Sequence, residues 1–258
     1  MGEPSNPVYV VCFDGSVEAW AADGDPATGP APNRLGLMKW RTGVPSWGGA
    51  TAGRPAIGKA PGGDVLYVPR SESLTGLALW NTATASNGSL PVEVNVEATD
   101  GVFTDAAGRA IAIGNNNANR GLAIVSPAGA VLFEDKTSWN PNGGVLTADG
   151  LLIFPDIFNG SINPPKNVTA VSLASPTQVV QLWSLTAPGN TPLDSNSQVV
   201  VLSTAQVATG LVAFDYAPAG PLPRTLNGFA LPNSQGPMPN AWNTLFADQQ
   251  RRSSLKTQ

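Results

Sequence analysis

The 258-residue chain has no histidine, a single cysteine and few charges. Without histidine the commonest general base and metal ligand is missing, so Ser-His-Asp and Cys-His catalysis are excluded. Cys12 alone can form neither an intrachain disulfide nor a CxxC metal site, and its place in the apolar run Val8 to Phe13 predicts a buried, inert thiol. Charged residues make up 12% of the chain, against roughly 25% in ordinary soluble domains, so Ser, Thr, Asn and backbone must wet most of the surface. Lys and Arg total 14 with no basic run, and the net charge is -4. A groove that tracks phosphates, and with it a nucleic-acid partner, is therefore not expected. No apolar run reaches the roughly 18 residues of a membrane span. The opening Met1-Gly2-Glu3-Pro4-Ser5 lacks the apolar core of a signal peptide. The polar, charge-poor composition points to an extracytoplasmic protein, periplasmic or secreted, if a leader has been removed, and otherwise to a cytoplasmic one. Asn87-Gly88-Ser89, Asn159-Gly160-Ser161 and Asn167-Val168-Thr169 are formal glycosylation sequons.

What the chain does have is turns and a repeat. Gly at 28 and Pro at 24 mark many short elements rather than a few long helices. One pattern recurs five times: a short β-type run, a polar loop, then a second run with a small residue at its centre. The pairs are Val8 to Val11 with Val17 to Trp20, Val65 to Val68 with Leu77 to Trp80, and Ala110 to Ile113 with Leu122 to Val125. Leu151 to Phe154 with Thr169 to Ser172, and Val199 to Leu202 with Val212 to Asp215, complete the series. From Ala19 to Ala78 the step is 59 residues, and the later steps to Ala123, Ala170 and Ala213 are 45, 47 and 43. That period suits one four-stranded propeller blade. An inner strand is expected before each pair, at Pro55-Ala56-Ile57, Val102-Phe103-Thr104, Val145-Leu146-Thr147 and Pro192-Leu193. Gly- and Asp-rich turns follow these strands. An outer strand is expected after each pair, at Leu37 to Trp40, Val92 to Val96, Val131 to Phe133 and Val179 to Trp183. The central alanine is expected to serve crowding near the axis. The first copy leaves no room for an inner strand before Val8.

The string Val8-Tyr9-Val10-Val11-Cys12-Phe13-Asp14-Gly15-Ser16-Val17-Glu18-Ala19-Trp20, with Met38-Lys39-Trp40-Arg41-Thr42-Gly43 after it, resembles the quinoprotein (PQQ)-type propeller repeat. The stretch Asp100 to Gly108 is also similar to repeats of six-bladed lactonase-like propellers. The resemblance implies an all-β propeller of about five four-stranded blades over residues 1–236, incomplete or closed by the C-terminal segment. In the tail, 237–258, the spacing of Trp242, Leu245 and Phe246 predicts a short amphipathic helix.

Propeller function resides in loops at one end. Connections between second and third strands, and between blades, should emerge together there. The longest of the former spans Pro155 to Lys166 and offers Asp156, Phe158 and Asn159. Two blade connections carry Ser-Trp followed by glycine, at Trp47 and Trp139. These five residues are the candidate ligand-binding set. The tryptophans either stack on a sugar, ring or peptide or plug grooves between blades. Asp156 with Asn159, and Asp100 with Asp105, present oxygens of the kind calcium takes, although Asp105 sits where a turn aspartate bonds nearby amides. The reading reached is a non-catalytic binding or assembly scaffold with a protein or carbohydrate partner and no cofactor or metal. One alternative is a quinone-dependent dehydrogenase or calcium-dependent lactonase using PQQ or calcium. Another is a propeller fragment without autonomous function.

Overall fold

A computed structural model describes residues 7–21, 38–47, 54–70, 76–96, 101–115, 120–139, 141, 143–156, 167–186, 199–204, 207–216 and 225–231. Every element among them is a β-strand, and they form five antiparallel sheets, each a simple up-and-down run, in a propeller-like all-β fold. Sheet 1 contains β1 (Val8–Val11), β2 (Val17–Trp20) and β3 (Met38–Arg41). Sheet 2 contains β4 (Ala56–Gly58), β5 (Val65–Pro69), β6 (Leu77–Asn81) and β7 (Val92–Val94). Sheet 3 contains β8 (Gly101–Thr104), β9 (Ala110–Asn115), β10 (Arg120–Val125) and β11 (Val131–Asp135). Sheet 4 contains β12 (Val145–Leu146), β13 (Leu151–Asp156), β14 (Asn167–Ser175) and β15 (Gln178–Thr186). Sheet 5 contains β16 (Val199–Thr204), β17 (Val207–Tyr216) and β18 (Thr225–Leu231).

Near-continuous apolar runs such as Val65-Leu66-Tyr67-Val68 become intelligible once successive side chains point to opposite faces. Leu66 and Val68, with Ala78 and Trp80, pack on Val17 of sheet 1. Their neighbours Val65 and Tyr67, with Leu77 and Leu79, pack on Val102, Ala110, Ala112, Ala123 and Val125 of sheet 3. Sheet 3 repeats the arrangement, sending Phe103, Ile111, Ile113, Leu122 and Ile124 against Leu146, Leu152, Phe154, Val171 and Leu173 of sheet 4. Sheets 1 to 4 are thus stacked face to face, and the core among the described residues is a series of interfaces rather than one cluster.

First strands of neighbouring sheets also meet. Arg54 bridges Gly101 in parallel, the Val102 amide donates to the Arg54 carbonyl at 3.2 Å, and the Thr104 hydroxyl donates to the Ile57 carbonyl at 2.9 Å. Here glycine, not alanine, answers the crowding. A Cβ on Gly58 would lie 2.5 Å from the Gly108 carbonyl oxygen, and one on Gly108 would strike the Lys59 carbonyl. Gly108 also holds φ +74, which a side chain disfavours. The buried Tyr67 hydroxyl donates to the Gly108 carbonyl at 2.6 Å, tying the two sheets at this point.

The expected position of the marker alanines needs correction. β3 ends where the β6–β7 connection docks on it: the Arg41 amide donates to Asn87 Oδ1 (3.0 Å), the Gly88 amide to the Arg41 carbonyl (2.9 Å), and the Gly43 amide to the Ser89 carbonyl (2.9 Å). β3 and β6 therefore finish at the same end, so β1, β2 and β3 are first, second and third strands. At the other end of the chain, β16 lies against β12 and β13 as β8 lies against β4 and β5, which makes β16 a first strand too. Sequence reading had placed Val8 to Val11 and Val199 to Leu202 as second strands, and Leu37 to Trp40 as an outer one. In the structure Ala19 and Ala213 lie on second strands, while Ala78, Ala123 and Ala170 lie on third strands. This slip accounts for the anomalous 59-residue step. Measured from the first strands of sheets 1 to 4, at Val8, Ala56, Gly101 and Val145, the steps become 48, 45 and 44 residues. β1 itself takes the place of the inner strand that the sequence was expected to lack before Val8. On sheet 3 the small row Ala110, Ala112 and Ala123 has a definite role: it makes room for Tyr67, Leu77 and Leu79 opposite.

Cys12 is half-buried and opens the β1–β2 turn, where its amide donates to the Ser16 carbonyl at 2.8 Å. No helix of the described residues is long and apolar enough to cross a membrane. The tail expected to form a helix, and Pro192-Leu193, lie outside the described residues.

Candidate functional site

Because strands alternate in direction, the β5–β6, β9–β10 and β13–β14 connections share one end with the links between sheets. The corrected strand order puts the end of β2 and the start of β3 at this end as well. At the opposite end two of the tight turns, β1–β2 and β8–β9, are closed by carboxylates. Asp105 accepts from the amides of Ala107 (3.0 Å) and Arg109 (2.9 Å) and pairs with the Arg109 guanidinium at 2.5 Å. It does there what a turn aspartate does. Asp14 likewise accepts from the Ser16 hydroxyl (2.6 Å) and amide (3.0 Å) and pairs with Arg41 at 3.0 Å. Those serine bonds, chiefly, hold its carboxyl below the usual carboxylate range.

At the loop-rich end Trp47 is half-buried against Val17, Leu66, Val68, Ala78 and Trp80, in the seam between sheets 1 and 2. Arg70 and Gly76, which flank the β5–β6 connection, border its ring. The Arg70 guanidinium carbon lies 5.3 Å from the ring centroid, and a Cβ on Gly76 would sit 3.4 Å from Cζ3. A guanidinium over an indole face is a favourable cation–π arrangement. The residue before it anchors the segment, since the Ser46 amide and hydroxyl both donate to the Glu93 carboxylate of β7. Trp47 Nε1, however, is buried and has no hydrogen-bond partner among the described residues.

Trp139 repeats this placement two seams further on. It is 7% exposed, packs among Phe103, Ile111, Leu146 and Phe154 between sheets 3 and 4, and its Nε1 donates to Gln181 Oε1 of β15 at 3.1 Å. Asp135 positions it by accepting from the amides of Thr137 (2.8 Å) and Ser138 (2.7 Å) and from the Ser138 hydroxyl (2.7 Å). Burial alone would raise the Asp135 carboxyl, but these donors hold it below the usual range. Both Ser-Trp segments are thus latched to the outermost strand of the following sheet, one through serine and one through tryptophan.

Asp156 ends β13, pairs in register with Asn167, and bridges Pro141. The structure therefore brings Asp156 beside the Trp139 segment, whereas Trp47 stands apart at the seam between sheets 1 and 2. Phe158, Asn159 and Asp100 lie outside the described residues. Among the described residues no group of three or more Cys, Asp or Glu side chains is placed to hold a metal. Sequence reading missed Arg70, Glu93 and Gln181. Only the repeated Ser-Trp pair signals them, and it does not say which strand supplies the partner. No family model matches this sequence, and no curated protein is significantly similar to it.

Proposed function

We propose that the chain is a non-catalytic scaffold whose loop-rich end binds a protein or carbohydrate ligand, in an extracytoplasmic setting. The observation that carries this reading is Trp47 at that end, only half-buried, with its ring under the Arg70 guanidinium. A partly exposed indole with a guanidinium stacked on its ring is suited to a planar or sugar-like group that extends the stack. The carboxylates Asp14, Glu93, Asp105 and Asp135 support the reading from the other side, since each is spent on holding a turn or a connection. The charge-poor composition supports the compartment.

The test is a glycan array and a pull-down with the folded full chain, repeated with Arg70→Ala. A retained ligand whose affinity falls at least tenfold in the variant supports the reading. A folded chain that retains nothing overturns it, as does a thermal shift with calcium and PQQ accompanied by dye reduction, which would establish the quinone enzyme instead.

A further inference from the structure

We infer that the outer edge of sheet 4 is a self-association surface, where β15 of one chain pairs with β15 of a second copy. An edge strand exposes unpaired amides and carbonyls, and proteins normally guard such edges with charge, proline or brevity. The other two four-stranded sheets do so. β7 has three residues, follows Pro91 and carries Glu93. β11 ends in Glu134 and Asp135, with Lys136 next in the chain. Among the described residues no strand lies beyond β15, and its own residues carry none of these guards. It runs nine residues, Gln178-Val179-Val180-Gln181-Leu182-Trp183-Ser184-Leu185-Thr186, without a charge or a proline. It also exposes apolar side chains to solvent, with Val180 46% and Leu182 52% accessible.

The partner that best fits an uncharged edge is its own copy, because a two-fold antiparallel pair sets no like charges opposite one another. The same pairing through β11 would bring Glu134 and Asp135 of both chains together. Two register shifts interrupt the β14–β15 pair, a bulge at Leu182 and a second beside the turn, and single shifts interrupt the outer pairs of sheets 1 and 3, so a bulge alone does not distinguish this edge. Nine residues at about 3.3 Å each give about 30 Å of edge. That is less surface than a tight dimer buries, so the association is weak and concentration-dependent. This inference stands independently of what the loop-rich end binds.

Sedimentation equilibrium of the full chain over a wide concentration range tests it, with Val180→Lys, Leu182→Lys and the control Val131→Lys on β11. The expected result is a reversible dimer whose dissociation constant rises at least tenfold in the two β15 variants and is unchanged in the control. Hydrogen exchange provides a second reading that needs no substitution: β15 amides gain protection as the wild-type concentration rises. A chain that stays monomeric throughout, or a dimer that persists in both β15 variants, overturns the proposal.

Discussion

Two tryptophans in equivalent settings differ in one hydrogen bond, and replacing each by phenylalanine turns that difference into a measurable stability gap. In Trp139→Phe the smaller ring vacates a closely packed seam, costing about 1 kcal/mol at ~25 cal/mol per Å² for a few tens of Å² of ring. Loss of the Nε1 bond to Gln181 adds about 1 kcal/mol. In Trp47→Phe the ring loss is similar or smaller, because the residue is only half-buried. It is offset because a buried donor without a partner among the described residues, worth about 1–3 kcal/mol against the fold, is removed with it. The expected outcome is a loss of about 2 kcal/mol for Trp139→Phe and about zero, or a small gain, for Trp47→Phe. At about 2–4 °C per kcal/mol for a chain of this size, the first variant melts about 4–8 °C lower while the second stays near wild type. Urea unfolding followed by far-UV circular dichroism gives the free energies, and calorimetry gives the midpoints. If Trp47→Phe is destabilised as much as Trp139→Phe, the Nε1 of Trp47 has a partner and the reasoning fails.

Further outcomes follow from the same geometry. Gly108→Ala should cost more than about 3 kcal/mol, combining a positive φ with a clash on Lys59, whereas Gly88→Ala, with φ +75 but open space around its Cβ, should cost about 1 kcal/mol. Equal losses in chemical unfolding would show that contact with the neighbouring sheet is not what Gly108 provides. Burial, with the Asp105 charge nearby, pushes the Tyr67 hydroxyl far above its usual value. The folded state then holds that proton after the unfolded state has released it, so stability falls as pH rises past about 10. Tyr67→Phe should flatten this alkaline slope and cost about 1–2 kcal/mol at neutral pH. Asp135 and Asp14 are held below their usual range, so their contribution is complete above about pH 4 and is lost as pH falls through their folded values. Asp135→Asn should weaken the acid dependence of the melting temperature, and an unchanged acid limb would count against its role in holding the Ser138-Trp139 segment.

The strands of sheets 2 to 4 were readable because both faces of those sheets are covered, which writes runs such as Leu151-Leu152-Ile153-Phe154 into the chain. Asp-Gly and Gly-Gly turns gave the hairpins. Strand phase in the terminal sheets was not readable. Val8-Tyr9-Val10-Val11 and Val65-Leu66-Tyr67-Val68 look alike, yet one is a first strand and the other a second, and only contacts between sheets separate them. A marker as small as alanine is tolerated on either kind of strand, so it could not fix the phase. The Ser-Trp recurrence pointed to the two seams, but Glu93, Gln181 and Arg70 are distant in sequence from the tryptophans they serve. Nothing in their local pattern distinguishes them from ordinary surface residues on a strand or at its end.

The clasp between the β6–β7 connection and β3 also bears on how the molecule ages. Asn87 precedes glycine, the pairing most prone to deamidation, in which the following backbone nitrogen attacks the side-chain amide carbon. Here that nitrogen donates to the Arg41 carbonyl, and the side-chain oxygen accepts from the Arg41 amide. Ring closure must wait for the clasp to open, so chemical lifetime at Asn87 reports on how often sheets 1 and 2 part, and peptide mapping of stored protein should find it slower to deamidate than the same tripeptide free in solution.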